Sequence, residues 1–315
     1  MEQAGPRSGD VILENHHLRV VIAPHLGGKI ASIQVRPEGA ELLQGPLRPY
    51  APRTWSMPFD ASDASGWDEC LPSVAACEVE TSAGKTLVPD HGDFWQVEWH
   101  VVSQNKNAVA LSADGFSLPL RFSKAITLEE NHLHIAYQVE NTGGSPVAYL
   151  WSAHPLFAVD PGDRIVLPPS VKQVVVEGSA GGRLGTKGTE HLWPKTTLRD
   201  GTHCDLSVTG SPEDGTGDKL FAAAPPEGWC AIERRRMRRR VELQFDPRIC
   251  THLGLWICYG GWPSGKENRQ YCVAPEPCTA PGDSLAQAIC AGHAQELAPH
   301  QQRCWKLTLK VDGVE

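Results

Sequence analysis

The chain has 315 residues and carries 29 Lys and Arg against 37 Asp and Glu, so its formal net charge at neutral pH is −8. This acidic balance argues against a protein that binds nucleic acid or a membrane surface. With 21% charged and 41% hydrophobic residues the chain is not disordered throughout, and it contains neither an apolar run of about 18 residues nor a signal-peptide pattern in residues 1–10.

Short alternating segments separated by Gly and Pro turns predict strands along the whole chain. In chain order they cover 11–23 with a turn at 14–15, 30–35, 98–102, 108–112, 117–128, 133–139, 147–152, 164–167, 171–176, 219–223, 230–234, 240–245, 253–259 and 305–311. One short helix is predicted at 284–291. This pattern is typical of an all-β sandwich or barrel. We expect a flexible N-terminus at 1–10 and a single domain at 11–315.

The basic run at 234–240 lies between two predicted strands and contains no aromatic residue. We interpret it as a solvated hairpin rather than a nucleic-acid site. The ten cysteines form no Cys-x-x-Cys pair, so we expect free thiols in a reducing, cytoplasmic compartment and no zinc site built from them.

Three short segments restrain the backbone around an ionisable side chain. A glycine follows His91 and leaves room for a ligand, while Trp95 nearby offers a flat apolar face. Proline follows His154 and favours an extended conformation there. Glu276 has proline on both sides, which restricts it in the same way. Restricting the backbone in advance positions a group for catalysis.

Together these segments resemble the aldose 1-epimerase family, which belongs to the galactose mutarotase-like superfamily. The resemblance extends from about residue 20 to the C-terminus. The segments that carry it, in chain order, are Leu-Gly-Gly-Lys-Ile at 26–30, His-Gly-Asp-Phe-Trp at 91–95, His-Pro-Leu-Phe at 154–157, Asp-Lys-Leu-Phe at 218–221, Pro-Glu-Pro at 275–277 and Pro-Gly-Asp at 281–283.

The resemblance implies a large antiparallel β-sandwich, called a supersandwich, whose cleft binds a free monosaccharide without metal or cofactor. It implies an isomerase of carbohydrate metabolism that interconverts the α and β anomers by opening and closing the ring. Glu276 would act as the general base on the anomeric hydroxyl, and His154 as the general acid on the ring oxygen. His91 and Asp218 would hold the sugar. The expected partner is a sugar substrate, and the expected assembly is a monomer or a homodimer.

The chemistry is consistent with this assignment. Ring opening of a sugar needs one group that accepts a proton and one that donates a proton, and a carboxylate with an imidazole can do both. Trp95, Trp151 and Trp256 are candidate platforms for the apolar face of a sugar. Where the family has an arginine segment, this chain has Asp68 and Glu69, which we take as candidate ligands for sugar hydroxyls and which argue against a phosphosugar.

Two alternatives stay open. A carbohydrate-binding β-sandwich could keep the same cleft without turnover. A metal-dependent β protein could use His132 and His134, because alternate residues of a strand share a face.

Overall fold

The computed structural model describes residues 7–55 and 57–314, and strands dominate these residues. In chain order the strands are β1 (Val11–Glu14), β2 (Leu18–Ala23), β3 (Lys29–Val35), β4 (Ala40–Glu41), β5 (Trp67–Cys70), β6 (Cys77–Thr81), β7 (Gly84–Val88), β8 (His100–Gln104), β9 (Ala108–Asp114), β10 (Leu120–Glu129), β11 (His132–Asn141), β12 (Val147–Tyr149), β13 (Ser152–Pro155), β14 (Phe157–Ala158), β15 (Arg164–Val166), β16 (Gln173–Ser179), β17 (Glu190–Leu192), β18 (Lys195–Thr197), β19 (His203–Asp205), β20 (Thr216–Ala223), β21 (Trp229–Arg234), β22 (Arg239–Phe245), β23 (His252–Tyr259), β24 (Tyr271–Cys278), β25 (Gln295–Leu297) and β26 (Gln302–Gly313).

The described residues include one short α-helix, α1 (Leu285–Cys290). Single 3-10 turns lie at Pro24–Leu26, Phe59–Ala61, Ala180–Gly182 and Pro212–Asp214. None of the described helices is long and apolar enough to cross a bilayer. The expectation of a flexible N-terminus concerns in part residues 1–6, which lie outside the described residues; Arg7, the first described residue, packs over the ring of Tyr50 at 3.7 Å.

Two large antiparallel sheets form the body of the fold. One sheet runs in the order β1-β2-β3-β5-β13-β24-β23-β20-β16-β17, with β4 paired to β3 and β14 paired to β24. The other sheet runs β15-β21-β22-β26-β11-β10-β9-β8. Two-stranded ribbons, β12-β25, β18-β19 and β6-β7, lie at the periphery. The predicted all-β antiparallel sandwich with few short helices is confirmed.

The two sheets share one hydrophobic core, because alternate side chains of each strand point inward. Strand β11 shows the pattern plainly, since buried and half-buried residues alternate over its ten positions. At the centre of the core Trp151, beside the first sheet, packs edge-on against Trp305 of the second sheet at 4.9 Å. The opposite face of the first sheet points away from this core.

Most predicted strands are present, with ends shifted by a few residues, but three features differ. The predicted strand at 147–152 breaks at Leu150 and Trp151, whose backbone N–H groups bond to Pro72 O and Thr279 Oγ1 instead of a ladder. The sequence pattern does not predict β24 or β5, nor the short strands β4, β6, β7, β14, β17, β18, β19 and β25. The basic run forms the expected β21–β22 hairpin, yet Arg234 is buried and pairs with Asp163.

All ten cysteines lie among the described residues and are free thiols, as the sequence predicts. Eight of them are buried or half-buried, while Cys290 and Cys304 are exposed. Packing accounts for the buried ones, since a free cysteine behaves as a small apolar side chain.

Candidate functional site

Three neighbouring strands of the first sheet bring the catalytic candidates together on the face away from the core. The register pairs Ser152 of β13 with Cys278 of β24, and His154 of β13 with Asp68 of β5. Directly paired residues point to the same face, and so do residues two apart on one strand. His154 and Glu276 therefore share a face, which we call the site face.

The distance between the two candidates agrees with this placement. His154 Nε2 lies 3.9 Å from Glu276 Oε1. His154 is 5% exposed, and Glu276 is fully buried. The site reaches solvent at its edges, where the side chains of His91 and Asp283 are 16% and 19% exposed. An imidazole and a carboxylate that are 122 positions apart in the sequence are thus neighbours in the fold.

Strand β24 explains how two prolines fit beside Glu276. The strand pairs with β23 along its whole length, but with β13 and β14 only at Cys278 and at Cys272 and Val273. Proline donates no ladder hydrogen bond, and here the two prolines fall in the gap between those pairings. Glu276 therefore sits in a buried, fully extended strand rather than in a surface turn.

His91 reaches the same group from a turn rather than from a strand. Its backbone is in the left-handed region, with φ of 59°. The ring stacks on Phe59 with centroids 3.9 Å apart and meets His154 edge-on at 5.1 Å. His91 Nδ1 bonds to Asp90 Oδ1 at 2.9 Å, which fixes the orientation of the ring and leaves Nε2 directed elsewhere.

The glycine after His91 has a different role from the one expected. A Cβ on Gly92 would lie 2.1 Å from the carbonyl oxygen of Leu71, and its φ is 74°. Gly92 therefore allows two backbone segments to bridge, rather than giving a ligand access. This bridge anchors the His91 turn beside β5.

Lys219 also lies on the site face, and the sequence analysis missed it. Its ammonium forms an ion pair with Glu276 Oε2 and lies 3.4 Å from Asp283 Oδ1. Four apolar residues follow Lys219 in the strand, and a lysine in such a context is rarely buried without an acidic partner, so this residue could have been found. Phe59 could not have been found in this way, because the sequence around it shows no helical or strand periodicity.

Asp218 differs from the expectation, because the structure places it on the core face of the same strand. Ser179 Oγ donates to its Oδ1 at 2.6 Å, and Arg183 Nε donates to its Oδ2 at 2.8 Å. Consecutive residues of a strand point to opposite faces. Since Lys219 points to the site face, its neighbour Asp218 does not join His154 and Glu276.

Glu69 and Trp151 also lie on the core face. Glu69 is bonded to Lys124 at 3.3 Å and to the hydroxyl of Tyr137 at 3.0 Å. The indole of Trp151 donates to Glu69 Oε2 at 3.2 Å. Burial raises the pKa of Glu69, although Lys124 lowers it. These residues form a polar network inside the core, away from the sugar-binding face that the sequence analysis assigned to them.

Asp68 and Trp95 lie at the site, but each is already bonded to another residue of the chain. Asp68 is tied to Lys29, which also lies 3.2 Å from Asp63. Trp95 is fully buried behind Phe59, and its indole donates to the carbonyl oxygen of Asp90 at 2.9 Å. Asp68 is paired with Lys29, and Glu69 is paired in the core. Neither is a free charge that would repel a phosphate, so these two residues do not argue against a phosphosugar.

Aromatic rings for a platform lie at the site, and Trp256 is the predicted tryptophan among them. Trp262 is half-buried and lies 6.2 Å from the ring of Phe59. Trp256, on the site face of β23, meets Trp262 edge-on at 6.4 Å. Such rings suit the apolar face of a pyranose.

Burial shifts the pKa values of His154 and Glu276 in opposite directions. Burial lowers the pKa of His154 well below its ordinary value, and the nearby His91 and Lys219 lower it further. Burial raises the pKa of Glu276, while Lys219 opposes that rise. The two shifts bring the pKa values of the imidazole and the carboxyl toward each other, and because the groups lie 3.9 Å apart their titrations belong to the pair.

Cys70, His91 and His154 are the one group of three possible metal donors among the described residues, with donor atoms within 4.8 Å of one another. Tetrahedral zinc needs donor atoms about 3.5 Å apart. Burial raises the pKa of the Cys70 thiol, which disfavours the thiolate that binds metals. The spacing of the donor atoms and the protonated thiol both disfavour a metal ion at this group. His132 and His134 stack at 5.7 Å and join no such group in the described chain.

Part of the chain is similar in sequence to a known family. A sequence model of the aldose 1-epimerase family matches residues 80–176, a stretch that holds His91 and His154 but ends before Lys219 and Glu276. The resemblance to the aldose 1-epimerase family is confirmed. Among curated proteins, none matches the chain by sequence.

Solved structures agree with the fold of the aldose 1-epimerase family. The Slr1438 protein of Synechocystis sp. PCC 6803 superposes with a TM-score of 0.72 and 16% identity, covering 100% of this chain and 98% of its own. A galactose mutarotase related enzyme of Lactobacillus acidophilus gives 0.69 and 16%, covering 97% and 99%. A galactose mutarotase-like protein of Lactobacillus casei gives 0.66 and 15%, covering 96% and 100%. At these identities the likeness concerns the fold.

Proposed function

We propose that the protein is an aldose 1-epimerase-like isomerase that interconverts the α and β anomers of a free monosaccharide. The observation that carries the proposal is the 3.9 Å approach of His154 Nε2 to Glu276 Oε1 on one face of the sheet. Ten free thiols fit a reducing compartment, so we assign the activity to the cytoplasm.

Glu276 is the proposed general base. Its Oε2 accepts from Ser152 Oγ at 3.3 Å and from Lys219, whereas buried Oε1 has no hydrogen-bond partner among the described residues. A buried carboxylate oxygen without a donor is costly unless a ligand supplies one. The anomeric hydroxyl of a sugar is such a donor. Transfer of its proton to Oε1 lets the C1–ring oxygen bond break and the aldehyde form.

His154 is the proposed general acid. It donates a proton to the ring oxygen as the bond breaks, and it takes that proton back when the ring closes on the other face of C1. The lowered pKa of His154 makes its protonated form a strong acid but a scarce one. Only the form in which Glu276 is ionised and His154 protonated is active. The rate should therefore fall both when the pair gains a second proton and when it loses its last one.

Anomer exchange measured by NMR tests the proposal. We expect the protein to accelerate α–β exchange of at least one sugar in a panel of D-glucose, D-galactose, D-mannose, D-xylose and glucose 6-phosphate. Replacing the base (Glu276→Gln) or the acid (His154→Asn) should each lower the enzymatic rate at least about tenfold, within the usual range for a positioned proton-transfer group.

Two outcomes would contradict the proposal. If both variants exchange the anomers of the true substrate at the wild-type rate, Glu276 is not the base and His154 is not the acid. Sugar binding without exchange across the whole panel would favour the non-catalytic carbohydrate-binding alternative.

A further inference from the structure

Lys219 reaches Glu276 across an intervening strand. The sheet order places β23 between β20 and β24, and Gly254 of β23 lies directly opposite Glu276. A Cβ on Gly254 would lie 3.2 Å from Glu276 Oε2 and 3.3 Å from Glu276 Cβ. The missing side chain leaves the space in which the ammonium and the carboxylate meet.

The contact with Lys219 gives the two carboxylate oxygens of Glu276 different surroundings. Oε2 accepts from Lys219 and from Ser152, whereas Oε1 is buried, lacks a hydrogen-bond partner among the described residues and faces His154 Nε2. A charge-assisted bond to one oxygen fixes the plane of the carboxylate. The other oxygen is thereby held toward the position where the substrate must lie.

We infer that Lys219 is a positioning residue for Glu276: it holds Oε2, keeps the carboxylate ionised in a buried site and presents Oε1 to the anomeric hydroxyl. The inference rests on the proposed function, since it assumes that Glu276 is the base. Lys219 need not touch the sugar. Neither the sequence pattern nor the family resemblance gives this lysine a role.

The other groups around Glu276 cannot replace Lys219. Asp283 follows β24 and, as a second carboxylate, raises the pKa of Glu276. His91 lowers it, but less than Lys219 does. Cys70 on β5 is a buried thiol that stays protonated, and His154 on β13 has a lowered pKa. Among these groups, Lys219 is the cation in direct contact with Glu276.

The pH dependence of kcat/KM tests the inference. An opposite charge in contact lowers the pKa of a carboxyl by roughly one to three units. We expect Lys219→Met to move the acid limb of the profile upward by at least about one pH unit, with Lys219→Arg staying close to wild type. Asp283→Asn removes the opposing charge and should move the limb downward.

Lys124→Met is the matched control. It also removes a buried lysine from a buried glutamate, but on the core face, where the partner is Glu69. It should destabilise the protein and leave the acid limb in place. A shift of equal size in both lysine variants would assign the effect to a general loss of structure and overturn the inference.

A readout independent of turnover separates this inference from the proposed function. In protein labelled with ¹³C at the glutamate carboxyls, the Glu276 resonance is identified by its loss in Glu276→Gln and titrated directly. We expect its midpoint to rise in Lys219→Met and to fall in Asp283→Asn. An unchanged midpoint in folded Lys219→Met overturns the role of Lys219, whereas wild-type protein without anomer exchange overturns the proposed function alone. If Lys219→Met does not fold, Lys219→Gln takes its place in the titration, and its midpoint is expected to rise in the same way.

Discussion

At the residue scale, Asp218 and Lys219 show how adjacent side chains take on different tasks. Both are buried ions on β20, yet one pairs with Arg183 on the core face and the other with Glu276 on the site face. The family resemblance assigns Asp218 to sugar binding. Its two donors, Ser179 and Arg183, indicate instead that it holds the segment after β16 against the sheet.

Asp218→Asn should therefore affect stability rather than sugar binding. The amide keeps the shape of the carboxylate but loses the charge that pairs with Arg183, so we expect the free energy of unfolding to fall by about 1–3 kcal/mol. Urea denaturation measures this, and anomer-exchange kinetics measure KM. Asp114→Asn, at an exposed ion pair with Arg121, is the control and should leave stability close to that of the wild type. A large rise in KM with unchanged stability would return Asp218 to the sugar site.

At the element scale, strand positions follow from the sequence better than strand faces do. The predicted strand at 219–223 is part of β20, but most of the eight residues of β20 are buried, so no polar–apolar alternation marks its two faces. The same holds for β5, where all four residues are buried. Only the register with neighbouring strands separates Asp68 from Glu69 and Lys219 from Asp218. That register depends on tertiary pairing, which local pattern does not encode.

Strand β24 was missed for a related reason. Two prolines inside a segment argue against a central strand. They are tolerated because β13 ends at Pro155 and β14 begins at Phe157, which interrupts the ladder beside them. The restraint expected at Glu276 is therefore present, but it acts within a sheet rather than within a turn.

The core-face network gives a second prediction at this scale. Glu69→Gln keeps one acceptor oxygen for the donors Trp151 and Tyr137 and leaves the ammonium of Lys124 buried without its counter-charge. We expect a loss of about 3–5 kcal/mol in the free energy of unfolding, as for other broken buried ion pairs. The kinetics of the folded fraction should stay at wild-type values. An unchanged stability combined with weaker sugar binding would contradict this placement of Glu69.

At the scale of the whole molecule, composition and turn frequency are enough to predict an all-β fold. They do not predict that the chain divides into two large sheets, because the pairing of β5 with β13, and of β13 with β24, joins segments far apart in sequence. Of the predicted site residues, the fold brings His91, His154 and Glu276 together with Asp68 and Trp95 beside them, and it adds Lys219 and Phe59. The backbone restraints in the three short segments act locally and do not by themselves predict that the segments meet.

The central claim is that Glu276 and His154 act as one proton-transfer unit, and a double-variant cycle on anomer exchange tests it most directly. Groups that act in the same step lose their contributions together, not additively. We predict that Glu276→Gln combined with His154→Asn lowers the exchange rate little further than the more severe single variant. Two large losses that multiply in the double variant, each with intact folding, would contradict a shared step.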